Sequence, residues 1–251
     1  MNETNKRPLG TRWCSVGSAI CGTGLVLIAL GLLGARVELL PPIQAFLAYG
    51  IGVLLILLAV IILVIGLAIS RGTAGALSAG RAWGALLACI LVLVPNMQSL
   101  PRGQPPIHDI TTDTSNPPVF VELVAIRAAD NAANPPEYAG EEVAKVQQEA
   151  FPELVTLQLS TDPATVFISA GEVMREMGWA VVAEDATTGR LEATDTTDWF
   201  RFKDDVVVRI EAADGGTRVD VRSKSRVGQG DMGANAARIR EFLARLQTKA
   251  S

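Results

Sequence analysis

The sequence predicts an α-helical membrane anchor of three spans followed by a soluble α+β domain. In that domain an antiparallel sheet of four to five strands carries two helices on one face. Three observations predict this class. Long uncharged apolar runs are confined to the first hundred residues. Beyond them, alternating and helical hydrophobic periods are separated by turn residues. Charge divides the same way: residues 1–103 hold seven Lys/Arg against two Asp/Glu, a net of +5, and residues 104–251 hold fifteen against twenty-four, a net of −9. The organisation read from this is a membrane domain over 1–100, an extended tether over 101–118 and a soluble domain over 119–251.

The first apolar run, Val16 to Leu33, lies inside a span at about 14–34. The second, Ile43 to Ser70, gives a span at 43–70, and the third, Ala82 to Leu100, gives one at 80–100. At 1.5 Å per residue each length suits a hydrocarbon core of about 30 Å. The third is weakened by Pro95, Asn96 and Gln98. Lys6, Arg7 and Arg12 precede the first run as in a signal peptide, but no small-x-small cleavage site follows Leu33, so the segment reads as retained. The same three cations, with Arg71 and Arg81 after the second run, place the N-terminus and the 71–81 loop in the cytoplasm. Three spans then put the soluble domain in the periplasm of a bacterial inner-membrane protein; two would leave it cytoplasmic. No acidic or basic side chain lies within any of the three apolar runs, which favours anchoring over transport. Ala48 and Gly52, or Gly24, Gly31 and Gly34, are candidate surfaces for helix packing. The cysteines, Cys14, Cys21 and Cys89, all lie in or beside these runs, so the polar part has no disulfide or CxxC framework.

Pro101 to Pro118 reads as an extended tether. Val119-Phe-Val-Glu-Leu-Val-Ala-Ile126 reads as extended, Glu141–Ala150 as a short helix, and Val155–Ser160 as a half-buried strand. Asp162-Pro163 starts a helix, with Asp as cap and Pro at the first position, and Gly178 ends it. Strands follow at 179–184, 190–202, 206–212 and 217–225, joined by Thr187-Thr-Gly189, Lys203-Asp-Asp205 and Ala213-Asp-Gly-Gly216 as turns. A final helix begins near Gly233 with Asp231 as its cap and Ile239, Phe242, Leu243 and Leu246 as its buried stripe. Helices on one sheet face make this a two-layer domain.

Several segments in fixed order carry a resemblance: Ile107-His-Asp-Ile-Thr-Thr-Asp113, Pro117-Pro118, Gly178-Trp, Leu191-Glu-Ala-Thr, Phe202 to Ile210, Val219 to Gly228 and Asp231 to Arg240. Together, over about 105–247, the chain resembles the bacterial and plant family called domain of unknown function 1499. That resemblance implies a domain boundary and no activity.

Gly228-Gln-Gly230-Asp-Met-Gly233 matches GxGxxG after a strand and before a helix. A dinucleotide fold then needs a second parallel strand with an acid about 20 residues on, and only a helix remains, so no cofactor is implied. In Ser223-Lys224-Ser225 neighbours point to opposite faces of a strand, so Lys224 cannot activate either serine. The best candidate site for an anionic ligand combines Arg222, Lys224, Arg226, Gly228, Gly230, Asp231 and Arg238, where guanidiniums adjoin the amides of a helix N-terminus. With a net of −9 over the domain, the reading that these cations neutralise its own acids takes precedence over a ligand. An alternative acidic cluster, His108, Asp109, Asp113, Asp204 and Asp205, would suit hydrolysis. One imidazole is a poor transition-metal set, and the same residues read as turns, so no metal is implied. The acidic domain argues against nucleic acid as a partner. The expected partners are the lipid bilayer and other membrane or envelope proteins. The sequence favours a binding or interaction module, with a membrane-tethered hydrolase as the alternative.

Overall fold

A computed structural model describes residues 8–70, 76–98 and 103–250. Lys6, Arg7 and Arg71, on which part of the orientation rests, lie outside the described residues, as do 99–102 around the start of the tether. The chain divides into two compact units: Met1–Leu100 with Asp198–Arg201, and Pro101–Thr197 with Phe202–Ser251.

In the first unit, three helices, α1 (Leu9–Arg36), α2 (Pro42–Ile69) and α3 (Ala76–Gln98), are each long and apolar enough to cross a membrane. Small residues repeat every seven positions on the facing sides of α1 and α2: Gly10, Gly17, Gly24 and Gly31 on one, Ala45, Gly52, Ala59 and Gly66 on the other, all buried. A seven-residue repeat keeps one seam of each helix facing its partner. At the centre the backbones touch. A Cβ added to Gly24 would stand 2.9 Å from the Gly52 carbonyl oxygen, and one on Gly52 would stand 2.7 Å from that of Gly24. Gly24, Gly31 and Gly52 therefore do pack between helices, as their spacing suggests; Gly34 instead meets Leu40, before α2 begins, and Ala45 takes the place expected of Ala48, which is only half-buried. Cys21 and Cys89 meet between α1 and α3, sulfur to sulfur at 3.6 Å.

The second unit contains a six-stranded sheet. Its elements are β1 (Asp109–Thr111), α4 (Glu122–Ala129), α5 (Glu141–Ala150), β2 (Leu157–Leu159), α6 (Pro163–Glu176), β3 (Ala180–Asp185), β4 (Arg190–Thr196), β5 (Lys203–Ala213), β6 (Gly216–Ser225) and α7 (Ala234–Lys249). The order is β1-β6-β5-β4-β3, with β2 also on β6, and all pairings are antiparallel. β1 and β2 share the outer edge of β6, one opposite 222–224 and the other opposite 217–219. The class is the one expected, with one more strand, because β1 forms within the proline-rich stretch read as tether.

α6 and α7 cover one face. Val166, Ala170, Val173 and Met174 of α6 and Ala236, Ile239, Phe242 and Leu246 of α7 close on Leu191, Ala193, Val206, Val208, Ile210, Val219 and Val221. Trp179 stacks on Phe242, centroids 5.5 Å apart. Asp162 caps α6 by accepting from the amides of Ala164 and Thr165, and Gly178 follows it at φ +78°.

Two local expectations are corrected. The stretch 119–126 is not extended: its second half opens α4. Both carboxylate oxygens of buried Glu192 on β4 accept at that helix's N-terminus, from the amides of Val121 and Leu123 at 2.8 Å each. A cap supplied from 70 residues away overrides the local strand preference of Val and Ile. Phe120 and Leu123 then pack on Val207, on the sheet face opposite Val206 and Val208. The sheet is thus covered on both faces, not on one. The second correction concerns Lys203-Asp-Asp205, which opens β5 instead of forming a turn. The reversal falls earlier, at 197–202, where the Thr197 amide donates to the Phe202 carbonyl at 2.8 Å and the Phe202 amide to the Thr197 hydroxyl at 2.9 Å. Aromatic residues in that loop imitate a continuing strand.

Candidate functional site: a buried ion-pair lattice on strand β6

Alternation decides the geometry of β6. Val219, Val221, Ser223 and Ser225 face α7, while Asp220, Arg222 and Lys224 face the opposite side, where Arg222 and Lys224 meet the segments around α4, and every residue from Val219 to Ser225 is buried. A strand buried on both faces with ions on one of them is stable only if each ion is paired, because an unpaired buried charge costs several kcal/mol. Three carboxylates meet that need.

Asp109 on β1 sits opposite Lys224 in register. Its two oxygens accept from Nε and Nη2 of Arg222, both at 2.8 Å, the bidentate geometry that guanidinium favours. Lys224 Nζ approaches the same carboxylate at 2.9 Å and donates to the Glu137 carbonyl at 2.6 Å. The Arg222 guanidinium also lies 4.9 Å from the Phe120 ring centre and 5.4 Å from that of Tyr138, and donates to the carbonyls of Pro118 and Pro136. Burial pulls the Lys224 ammonium below its ordinary pKa against the opposing pull of Asp109. It pushes the Tyr138 phenol up to about 12, with Asp109 adding to the rise.

Asp205 on β5 is in register with Lys224 and with Thr194 of β4. It accepts from Nε and Nη2 of Arg226 at 2.8 and 2.7 Å, from Arg127 of α4 at 2.6 Å and from the Thr194 hydroxyl at 2.7 Å. Arg226 reaches Asp130 as well, which Lys203 also holds at 2.6 Å. For Arg226 burial pulls downward, yet Asp205 and Asp130 outweigh it and its pKa is raised. For Arg127 burial wins over Asp205 and the pKa is lowered. Its Nε is buried without a hydrogen-bond partner among the described residues.

Asp220 gathers Arg209 at 2.8 Å, Arg218 at 2.7 Å and the hydroxyls of Thr112 and Thr156. Asp113 joins the same two arginines at 3.1 and 2.9 Å, and accepts from the amides of Ser115 and Asn116 within its own turn. Burial alone would raise the Asp220 carboxyl, but the bonds from Arg209, Thr156 and Arg218 hold it below its ordinary value. Asp130 is lowered too, chiefly by its bond to Lys203. A carboxyl lowered on folding adds stability that is complete above the unfolded pKa of about 3.9 and is lost as pH falls through the folded value. Acid titration of unfolding is therefore expected to show stability falling below about pH 5. Asp220→Asn should flatten that dependence while lowering stability at neutral pH.

The remaining candidates lie around this lattice. Arg238 is on the other face, holding Asp204 and Asp195 at 2.7 Å each. Burial opposes its charge, but Asp204 and Asp195 outweigh it and its pKa is raised. The N-cap position of α7 falls on Gly233 and not on Asp231 as expected, but Asp231 closes the helix start from two residues earlier: its carboxylate accepts from the amides of Gly233 and Asn235 at 2.8 Å, and its carbonyl from that of Ala234. The amides considered for an anion are thus occupied by the chain's own acid. Gly228 stands at φ +96° with its carbonyl held by Asn134, and Gly230 packs against Pro106, so the glycines serve the corner. His108 is half-buried, with Nδ1 3.2 Å from the Gln229 carbonyl oxygen. Asp204 and Asp205, neighbours on one strand, point to opposite faces, so the five members of the acidic cluster do not converge. Lys224 likewise points away from Ser223 and Ser225, whose hydroxyls bond Asn235.

Arg238 also lines a cleft of about 360 Å³ with Trp179, Asp195, Glu176, Glu241 and Arg245, in which acids and arginines are interleaved. A groove of about 560 Å³ runs past Phe167, Ile168, Thr187 and Ile210. Arg127, Asp130, Glu192 and Asp220 were not singled out by their sequence; the first three are held by partners far along the chain, and Asp220 by Thr112 and Thr156 besides the nearby Arg209 and Arg218.

Residues 109–246 match the family described as "Protein of unknown function (DUF1499)". No curated protein matches the chain. The match covers more than half of the chain and runs from the first residue of β1 into α7, enclosing all three carboxylate nodes. The chain belongs to the DUF1499 family.

Proposed function

We propose that this protein is a membrane-anchored interaction module, with its sheet domain held outside the cytoplasm of a bacterial cell by three spans. The observation that carries the reading is the internal pairing of Arg222, Lys224 and Arg226 with Asp109, Asp205 and Asp130. A free anion at these cations would have to displace bidentate carboxylates from a dry interior, so the lattice acts as a rigid scaffold and partners meet the domain's outer surface. Envelope or membrane proteins are the partner class that such a placement serves. The anchor is supported by three apolar helices that keep acidic and basic side chains out of their central turns. Orientation follows from the cations flanking α1 and α2.

A C-terminal fusion tests the placement. An alkaline phosphatase fused after Ser251 is expected to be active and a fluorescent protein fused there dark, with the reverse pattern for fusions in the 71–81 loop. A fluorescent C-terminal fusion would overturn the extracytoplasmic placement.

A further inference from the structure

The turn between β4 and β5 is built unlike the others. Thr197 and Phe202 close it by two hydrogen bonds, which leaves Asp198-Trp-Phe-Arg201 as a projecting tip. Those four residues belong to the helical unit. Within that unit Phe200 lies edge-on to Phe46 and Tyr49, at 5.3 Å from each ring centre. Both partners are in the first turns of α2, and the Tyr49 hydroxyl donates to Asn96, near the end of α3, at 2.7 Å. Arg201 approaches Glu38 at 3.7 Å, and Arg36 donates to the Asp198 carbonyl at 3.4 Å. Aromatic rings are therefore flanked by charged groups at one end of the helices. Trp199, beside them, is 68% exposed.

Trp and Tyr concentrate where hydrocarbon meets water, because an apolar ring with one polar atom satisfies both sides of that boundary. An exposed Trp next to Phe, bracketed by Asp and Arg, at the end of apolar helices has that composition. We propose that the Asp198–Arg201 tip is a membrane-interface anchor that places Trp199 at the boundary between phospholipid headgroups and acyl chains. The proposal rests on the reading that α1–α3 span a bilayer.

The test uses the full chain in phosphatidylcholine nanodiscs, with Trp13→Phe and Trp83→Phe so that only Trp199 and core Trp179 emit. Lipids brominated near the headgroup should quench a component of the fluorescence more than lipids brominated near the chain ends. Trp199→Phe should remove that component and leave the Trp179 signal. A chain that enters nanodiscs yet keeps a Trp199 emission quenched by aqueous iodide and not by either bromolipid would overturn the interface anchor alone, and would leave a protein partner as the occupant. A chain that does not enter nanodiscs would overturn the spanning reading and the anchor with it.

Discussion

Replacing Asp205 by Asn is expected to destabilise the sheet domain by about 3–5 kcal/mol, the cost of leaving buried cations uncompensated. Two guanidiniums depend on that carboxylate, Arg127 at 2.6 Å and Arg226 through two bonds, and all three side chains are buried. Denaturant unfolding followed by the fluorescence of Trp179, which stacks on Phe242 in the core, reads the loss in a background with Trp13, Trp83 and Trp199 replaced by Phe. The loss should come from unpaired charge and not from altered shape, since Asn is nearly isosteric with Asp. Adding Arg127→Met and Arg226→Met to Asp205→Asn should therefore recover a large part of it, because apolar replacement of a whole buried ionic group is often neutral or stabilising. A loss below about 1 kcal/mol for the single change is what solvent-exposed pairs give, and would mean that water reaches this node.

Asp109→Asn is expected to be as damaging, again about 3–5 kcal/mol, with a different dependence on pH. It leaves Arg222 and Lys224, each 1% exposed, facing a neutral amide. Of these two cations it is the lysine that can lose its proton. Burial already lowers the Lys224 pKa, and Asp109 is the group that opposes this. Without Asp109 the folded-state pKa falls further below the unfolded value of about 10.4. A lysine whose pKa is lowered on folding binds fewer protons in the folded state, so stability rises with pH between the folded and the unfolded pKa. The deficit of Asp109→Asn should accordingly narrow as pH is raised from 7 toward 10, whereas that of Asp205→Asn, whose charged partners are both arginines, should not.

Much of this was legible in the sequence. Uncharged runs mark the three helices, and the alternation from Arg218 to Arg226 marks one strand with its cations on one side. Asp162-Pro163 and Gly178 mark the two ends of α6. What could not be read was where those cations point. Asp109 is far from Arg222 along the chain, and its place opposite Lys224 depends on β1 forming in a proline-rich stretch with little strand character of its own. The cover over the charged face depends on α4, whose N-terminus is satisfied by Glu192 and not by a neighbour in sequence. Local patterns contain neither fact. Asp204 and Asp205 illustrate the consequence: as a turn they could converge on one site, but as strand residues they face opposite layers and hold different arginines.

We propose that the cations of β6 are parts of a scaffold and not a site for an anion. The most direct measurement is the thermal unfolding of the full chain in nanodiscs, titrated with inorganic phosphate against sodium chloride of equal ionic strength. The scaffold predicts that phosphate gives only the unsaturable rise of an excluded anion, the same in the wild type and in Arg222→Ala, which should melt well below the wild type in both salts. A saturable, phosphate-specific rise in the wild-type midpoint that disappears in Arg222→Ala would contradict it.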